Sequence, residues 1–410
     1  MRFERCMLDN GLTLIGEVNP EALSAAAGYF VKTGSRDETA SESGVSHFLE
    51  HMLFKGSSRR SAEDVNREFD EIGADYNAFT GEEYTVYYGA VLPEMVAPLV
   101  DILTDMMRPV LREEDFTMEK QVILEEIALY KDRPQFTVID EARSTYYSPH
   151  PLGQSVLGTT ESITALSRDQ MFGYWERRYA PGNLVLALAG NFDWDAAVAQ
   201  VNAQTAGWPA APCERHLSRH EPQAKRHVIR DEKVHRVHLA LVAPGLPATS
   251  RDRYAAELIA EMVGGGDGSW LHWALVDPGL ADVACLSHDE QDGDGAYFGY
   301  LSCSPENLNV VIEKTRSVLD RAMDGGFSED EIKRAARKAA SARVLHDETP
   351  RGRLFHLGFD WQYREEYLPV DLEIDRILGV TVDDTRRLMA TRPFDALTLV
   401  TMGPVEPTAA

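Results

Sequence analysis

His47 and His51 stand four residues apart with Glu50 between them, inside the apolar run Val45, Phe48, Leu49, Met52, Leu53 and Phe54. An α-helix turns once in about 3.6 residues, so positions i and i+4 share a face and i+3 is their neighbour. Two imidazoles and a carboxylate therefore point into one small volume. Zinc in a hydrolytic site takes three protein ligands and leaves one position open, and a nearby carboxylate outside the ligand set can take a proton from water. His47 and His51 are candidate ligands, and Glu50 is the candidate base. A pattern of five residues also arises by chance, so a third ligand decides whether it means anything.

The stretch from Met118 to Ile127 offers one. Val122, Ile123 and Ile127 recur at helical spacing, which predicts a helix. Glu119 and Glu126 lie two turns apart and share a face, while Glu125 is rotated by about 100° from Glu126. Glu126 is the candidate third ligand, and Glu119 is placed to brace the site from behind the ligands. Without the histidine pair, the same glutamates would read as an ordinary solvated acidic face.

Further motifs follow in order: Gly73-Ala74-Asp75-Tyr76-Asn77-Ala78-Phe79-Thr80 with Glu83-Tyr84-Thr85, then His150-Pro151-Leu152-Gly153 with Leu157-Gly158-Thr159, then Tyr179-Ala180-Pro181-Gly182-Asn183-Leu184-Val185. With His47-Phe48-Leu49-Glu50-His51 and the Glu119/Glu126 helix, they resemble the pitrilysin-type zinc peptidases. These carry the inverted, inverzincin order of the motif. Within them, the mitochondrial processing peptidase branch is the most similar. The resemblance spans the first half closely and the second half in outline. It implies one zinc per chain on His47, His51 and Glu126, Glu50 as general base, and peptide bound along Asn77, Ala78 and Phe79 on an edge strand. It also implies an α+β fold of two homologous domains, each a mainly antiparallel mixed sheet backed by helices, facing each other around a cavity. Cleavage of extended peptides is the implied activity. The family also holds core proteins that keep the fold as structural or assembly subunits without hydrolysis. Loss of His47, Glu50, His51 or Glu126 would mark one of those, and all four are present.

The elements that position these residues come twice. The strand-like Ser24 to Val31, a polar turn and the helix ending at Met52-Leu53-Phe54-Lys55-Gly56 have a counterpart in His235 to Val242, a turn and a helix ending at Met262-Val263-Gly264-Gly265. Superposing Met52 on Met262 puts Glu257, Ala260 and Glu261 where His47, Glu50 and His51 stand, so the second copy has no zinc pair. Each copy closes on a short buried strand, 184–190 and 397–403. Repetition on this scale sets the whole fold. Residues 1–208 form the expected zinc-bearing domain and 223–410 its homologue, joined by a Pro- and Ala-rich, then charged, linker over 209–222.

A chain of 410 residues with 44% hydrophobic content exceeds one core and fits two domains. Its net charge of −25 argues against nucleic acid as a partner. That acidity either keeps the protein soluble or, where it lines a site, favours basic polypeptides. No apolar run has the roughly 18–20 residues of a membrane span, and no signal peptide is visible. Cys6, Cys213, Cys285 and Cys303 are too scattered for a cluster or disulfide framework, which fits a reducing cytoplasm. His216 and His220 share i, i+4 spacing, but no apolar helix face surrounds them, so a solvated pair is expected. His235 and His238 fall on a predicted strand at an odd separation, which sends them to opposite faces.

One departure bears on partners. Self-sufficient subunits of the resembled branch carry an arginine and a tyrosine in the second half that contact substrate. The corresponding stretch here is Val276-Asp277-Pro278-Gly279-Leu280-Ala281-Asp282, with Pro278 in place of the arginine and Asp282 in place of the tyrosine. Proline brings neither charge nor N–H, and aspartate would repel a developing oxyanion. The expectation is a dimer, with a zinc-less paralogue favoured over a second identical copy.

Overall fold

The structure, a computed structural model, describes residues 1–211 and 213–406. Pro212 of the expected linker and residues 407–410 lie outside them. The described strands are β1 (Arg2–Met7), β2 (Thr13–Val18), β3 (Ala25–Val31), β4 (Asp75–Thr80), β5 (Thr85–Val91), β6 (Leu184–Gly190), β7 (Lys225–Arg230), β8 (Val237–Pro244), β9 (Val283–Glu290), β10 (Gly295–Cys303) and β11 (Thr398–Gly403). The helices are α1 (Val45–Leu53), α2 (Ala62–Glu71), α3 (Val96–Met106), α4 (Glu113–Lys131), α5 (Pro134–Tyr147), α6 (Thr160–Ala165), α7 (Arg168–Arg178), α8 (Trp194–Thr205), α9 (Arg253–Gly264), α10 (Leu308–Met323), α11 (Glu329–Asp347), α12 (Pro350–Arg364), α13 (Val370–Leu378) and α14 (Val382–Met389).

Two sheets organise the chain. The first runs β1-β2-β6-β3-β5-β4, and the second runs β7-β11-β8-β10-β9. Each has one parallel pair, β2 with β6 and β7 with β11, and is otherwise antiparallel. From β2 in the first and β7 in the second, the pairings repeat strand for strand. This is the α+β architecture of two homologous sheet-and-helix domains expected from the sequence.

Contacts divide the chain into two compact units: Met1–Ala128, Gln154–His216 and Val344–Leu368 in unit 1, and Leu129–Gly153, Leu217–Arg343 and Pro369–Ala410 in unit 2. These units are not identical with the two halves of the sequence, because each contains a helix from the other half. In unit 1 the central strand β3 is buried along its whole length, as a strand covered on both faces must be. Helices α1, α3 and α8 pack on one face, and α12 covers the other with Leu354, Leu357 and Trp361 against Phe30 and Val86. Burying Leu354 and Leu357 stabilises the unit by about 1.5–3 kcal/mol each. Gly358 of α12 is required there, since a Cβ would lie 2.1 Å from the Phe30 ring. In unit 2, α9 and α10 take the first face, and α5 takes the second with Val138, Ala142 and Tyr146. No helix among the described residues is long and apolar enough to cross a membrane.

Candidate metal centre

Helix α1 starts on Gly44, whose φ of +89° belongs to the left-handed region, and a Cβ there would meet Ile163 and the Leu157 carbonyl at 2.7 Å. Its first N–H groups, which have no partner within the helix, are met by Glu38. Glu38 accepts from Gly44 N at 2.7 Å and from Ser46 N at 2.8 Å. Every residue of α1 except His51 is buried, so the helix runs through the core carrying two imidazoles and a carboxylate. Such groups are retained in a core only when something offsets their lost hydration.

Helix α4 presents Phe116, Glu119, Ile123 and Ile127 inward, one helical stripe with a carboxylate in it. The same register turns Glu126 toward α1 and leaves Glu125 exposed. His47, His51 and Glu126 then each offer a donor atom within 4.8 Å of the others. Both histidine Nε2 atoms lie 3.8 Å from Glu126 Oε2, too long for hydrogen bonds. The buried Nδ1 of His47 has no hydrogen-bond partner, an arrangement that costs about 1–3 kcal/mol if nothing compensates it. Two imidazoles and one carboxylate, converging without bonding to one another, form a His₂Glu donor set that suits zinc.

Behind the ligands, His51 Nδ1 is 2.8 Å from Glu119 Oε1, and Lys55 Nζ is 2.5 Å from Glu119 Oε2. A carboxylate in that position sets the tautomer and orientation of a ligating imidazole. Burial raises Glu119, but its hydrogen bonds to His51 and Lys55 win and hold its carboxyl below the ordinary range. Burial, helped by the neighbouring His51, pushes His47 down to about 3, leaving a neutral imidazole able to ligate. Glu50 is raised, chiefly by burial and in part by Glu126, while the Thr80 hydrogen bond and His51 pull the other way.

Thr80 is the residue that sequence reasoning missed. Its hydroxyl donates to Glu50 Oε2 at 2.6 Å from the end of β4. Strand β4 is the edge of its sheet, so one side of its backbone is unpaired among the described residues. Asn77 is exposed on it, Ala78 is buried, and Phe79 packs among Tyr84, Tyr88 and Phe355. Lys55, one turn beyond His51, was not singled out in the sequence either, and Glu38 and Thr80 carry no local signal.

In unit 2, Glu257, Ala260 and Glu261 sit on α9, and Glu261 is paired with Lys338 of α11 at 2.5 Å. Helices α4 and α11 are both 19 residues long. Counted from their starts, Glu119 and Glu126 correspond to Ala335 and Ala342. The expectation for His216 and His220 needs correction. His216 is exposed, but His220 is buried against the rings of Tyr146 and Tyr147 at 4.7 and 5.1 Å. Apolar cover for His220 comes from α5, distant in sequence. His235 precedes β8, so only His238 lies on that strand.

This fold and donor set are those of a metallopeptidase scaffold, and comparison with known proteins agrees. The family profile "Insulinase (Peptidase family M16)" matches residues 14–160, and "Peptidase M16 inactive domain" matches residues 165–339. An uncharacterized zinc protease of Streptomyces coelicolor is 34% identical over 394 residues, covering 93% of this chain and 85% of that protein. One from Bacillus subtilis is 30% identical over 382 residues, covering 93% of each. The chain belongs to peptidase family M16, the insulinase family. A protease from Helicobacter pylori superposes with a TM-score of 0.92 at 19% identity, over 99% of this chain and all of that one. A putative M16-like peptidase from Alicyclobacillus acidocaldarius gives 0.84 at 21% identity, over 98% of both. At those identities the likeness establishes the fold.

Proposed function

We propose that this protein is a zinc-dependent endopeptidase or oligopeptidase that hydrolyses extended peptides. One zinc per chain would be held by His47, His51 and Glu126. The convergence of those three donors beside Glu50, at the end of an edge strand, is the observation that carries the reading. When bound, zinc supplies Lewis acidity that polarises a carbonyl and acidifies water. Glu50 takes the proton from the attacking water on a carboxylate oxygen and returns it to the leaving amine nitrogen. Its raised pKa suits both halves of that task. Thr80 holds Oε2, which directs the other oxygen toward water. Glu119 and Lys55 keep the His51 ring in place. The free edge of β4 at Asn77, Ala78 and Phe79 receives substrate as an added strand, so main-chain hydrogen bonds supply affinity with little demand on sequence. Basic peptides suit the acidic chain. Four free cysteines are consistent with a reducing, cytoplasmic setting.

The chain works as the catalytic member of a pair. Pro278 lies in a turn, and Asp282 is taken up by an ion pair with Arg236. Neither supplies the cation or phenol that steadies a developing oxyanion. Zinc-loaded chain should therefore cleave a long basic peptide poorly by itself, and addition of a zinc-less M16 partner should raise kcat/KM without changing metal content. Robust hydrolysis by the chain alone, with its mass checked by light scattering, would remove the partner requirement. Absence of bound zinc would remove the peptidase reading itself.

A further inference from the structure

Arg215 belongs to the Pro- and Ala-rich, then charged, stretch expected to link the two halves, yet its side chain is only 4% exposed. A guanidinium keeps its charge in a protein and carries five N–H donors, so it is buried only where acceptors meet it. Two tight turns of unit 1 supply them. One, Ser35–Asp37, lies between β3 and α1, and the other, residues 81–84, joins β4 to β5. Arg215 Nε donates to Asp37 Oδ1 at 3.0 Å and Nη2 to Asp37 Oδ2 at 2.7 Å, the two-pronged geometry of a strong arginine–carboxylate pair. Nη2 also donates to the Glu83 carbonyl at 2.5 Å, so one planar group spans both turns.

Other groups join the same turns. Ser35 N donates to the Gly81 carbonyl at 3.3 Å and Arg36 N to the Glu82 carbonyl at 2.9 Å. Arg36 pairs with the buried Glu83 carboxylate, whose second oxygen accepts from the Tyr363 hydroxyl at 2.8 Å. Arg178 of α7 pairs with Asp37 at 2.9 Å. Without Arg215, Asp37 would keep Arg178 and Glu83 would keep Arg36, so charge balance is not what Arg215 adds. It adds the bridge. Thr80, the residue before the 81–84 turn, is the one whose hydroxyl donates to Glu50 Oε2 at 2.6 Å.

We propose that Arg215 is a positioning residue: by clamping the 81–84 turn onto the 35–37 turn it holds the Thr80 hydroxyl on Glu50, and so fixes the base without touching substrate or metal. The inference rests on the reading of Glu50 as the base. A misplacement of about 1 Å in a group that orients the chemistry can cost about a hundredfold in rate, so a distant clamp on the end of β4 has a kinetic effect.

Arg215→Met keeps the apolar stem and removes the fork. Hydrogen exchange on the full-length protein, which needs no substrate, should show the amides of Ser35, Arg36 and Gly81 exchanging about tenfold or more faster, the effect of losing one charge-assisted bond, with those of α4 unchanged. In single-turnover cleavage of an unstructured basic peptide by excess zinc-loaded protein, the maximal rate should fall about tenfold or more, while half-saturation and zinc content stay at wild-type values. Thr80→Val should slow the reaction alike, and the double variant should be no slower than Thr80→Val alone, because both act through one hydroxyl. Arg215→Lys, whose single ammonium cannot reproduce the planar fork, should fall between wild type and Arg215→Met, and it carries the same measurements if Arg215→Met does not fold. Unchanged exchange at those amides, an unchanged maximal rate, or additive losses in the double variant would overturn the proposal. Zinc-loaded wild type that cleaves nothing would instead remove the peptidase reading, and the exchange result would still decide whether Arg215 holds the turns.

Discussion

Helices α1 and α9 each pack against the edge strand of their own sheet, α1 against β4 and α9 against β9, yet they carry opposite solutions to the same problem. In α1, His47, Glu50 and His51 converge with Glu126, and the buried His47 Nδ1 stays unbonded. In α9, Ala260 replaces the base, Glu261 is neutralised by Lys338, and the partner helix offers alanines where α4 offers Glu119 and Glu126. Glu257 remains as a half-buried carboxyl, raised by burial against the pull of Arg343. Freed from holding a metal, a polar cluster relaxes to ordinary chemistry: one ion pair at the surface and small apolar residues. The first copy keeps an arrangement that destabilises the fold, which marks it as the one retained for function.

The sharpest way to break this contrast is through the ligand set. Glu126→Gln should lose both bound zinc and peptide hydrolysis, measured by metal analysis and cleavage of an unstructured peptide, whereas Glu125→Gln should keep both. The reverse result would mean that the register of α4 is wrong. Next in size is Glu50→Gln, which retains shape and ligands but lacks the base. Turnover should fall by about 10²–10⁴ with zinc content unchanged, while Glu261→Gln in the second copy leaves turnover alone.

A smaller effect separates the starts of the two helices. Glu38 caps α1 from a fully buried position, whereas α9 begins without a side-chain cap. Burial lifts the Glu38 carboxyl to about 8, against the N–H donors of Ser46 and Gly44 and with a further push from Glu42; the Tyr174 hydroxyl lies nearby on Ser46. A folded pKa above the unfolded value means that the folded state holds the proton more tightly. The stability this contributes is fully present below about 4.5 and is lost as pH rises through about 8. Denaturant unfolding across that window should show wild type losing stability relative to Glu38→Gln; parallel curves would mean that Glu38 is ionised in the fold. The smallest effect belongs to Lys338→Ala, which removes a largely exposed partner of Glu261 and should cost about 0.2–1 kcal/mol with zinc and activity untouched. A drop in metal content in that variant would mean that the second copy is not idle.

Much of the site was legible because helix periodicity is short-range. The His47–His51 spacing and the difference between Glu125 and Glu126 depend only on residues within two turns, and the structure places each on the side that spacing predicted. His220 was read as solvated because its apolar cover, Tyr146 and Tyr147, is supplied by α5 from far away in the chain. Thr80 was invisible for the same reason: a threonine near a hairpin looks like any other until β4 is laid beside α1.

By itself, then, the order of residues determined what repeats locally: the paired histidines, the acidic stripe with its register, the doubled succession of strand, turn and helix, and the loss of ligands in the second copy. Tertiary structure alone decided which distant groups meet. It brought Glu126 to the histidines, Thr80 to Glu50 and Glu38 to the start of α1, and placed α5 and α12 each in the unit of the other half of the chain. The physical reason is that backbone periodicity is set by neighbours a few residues apart, whereas burial and ion pairing depend on which surfaces the folded chain brings together, and that choice leaves no mark on the local sequence.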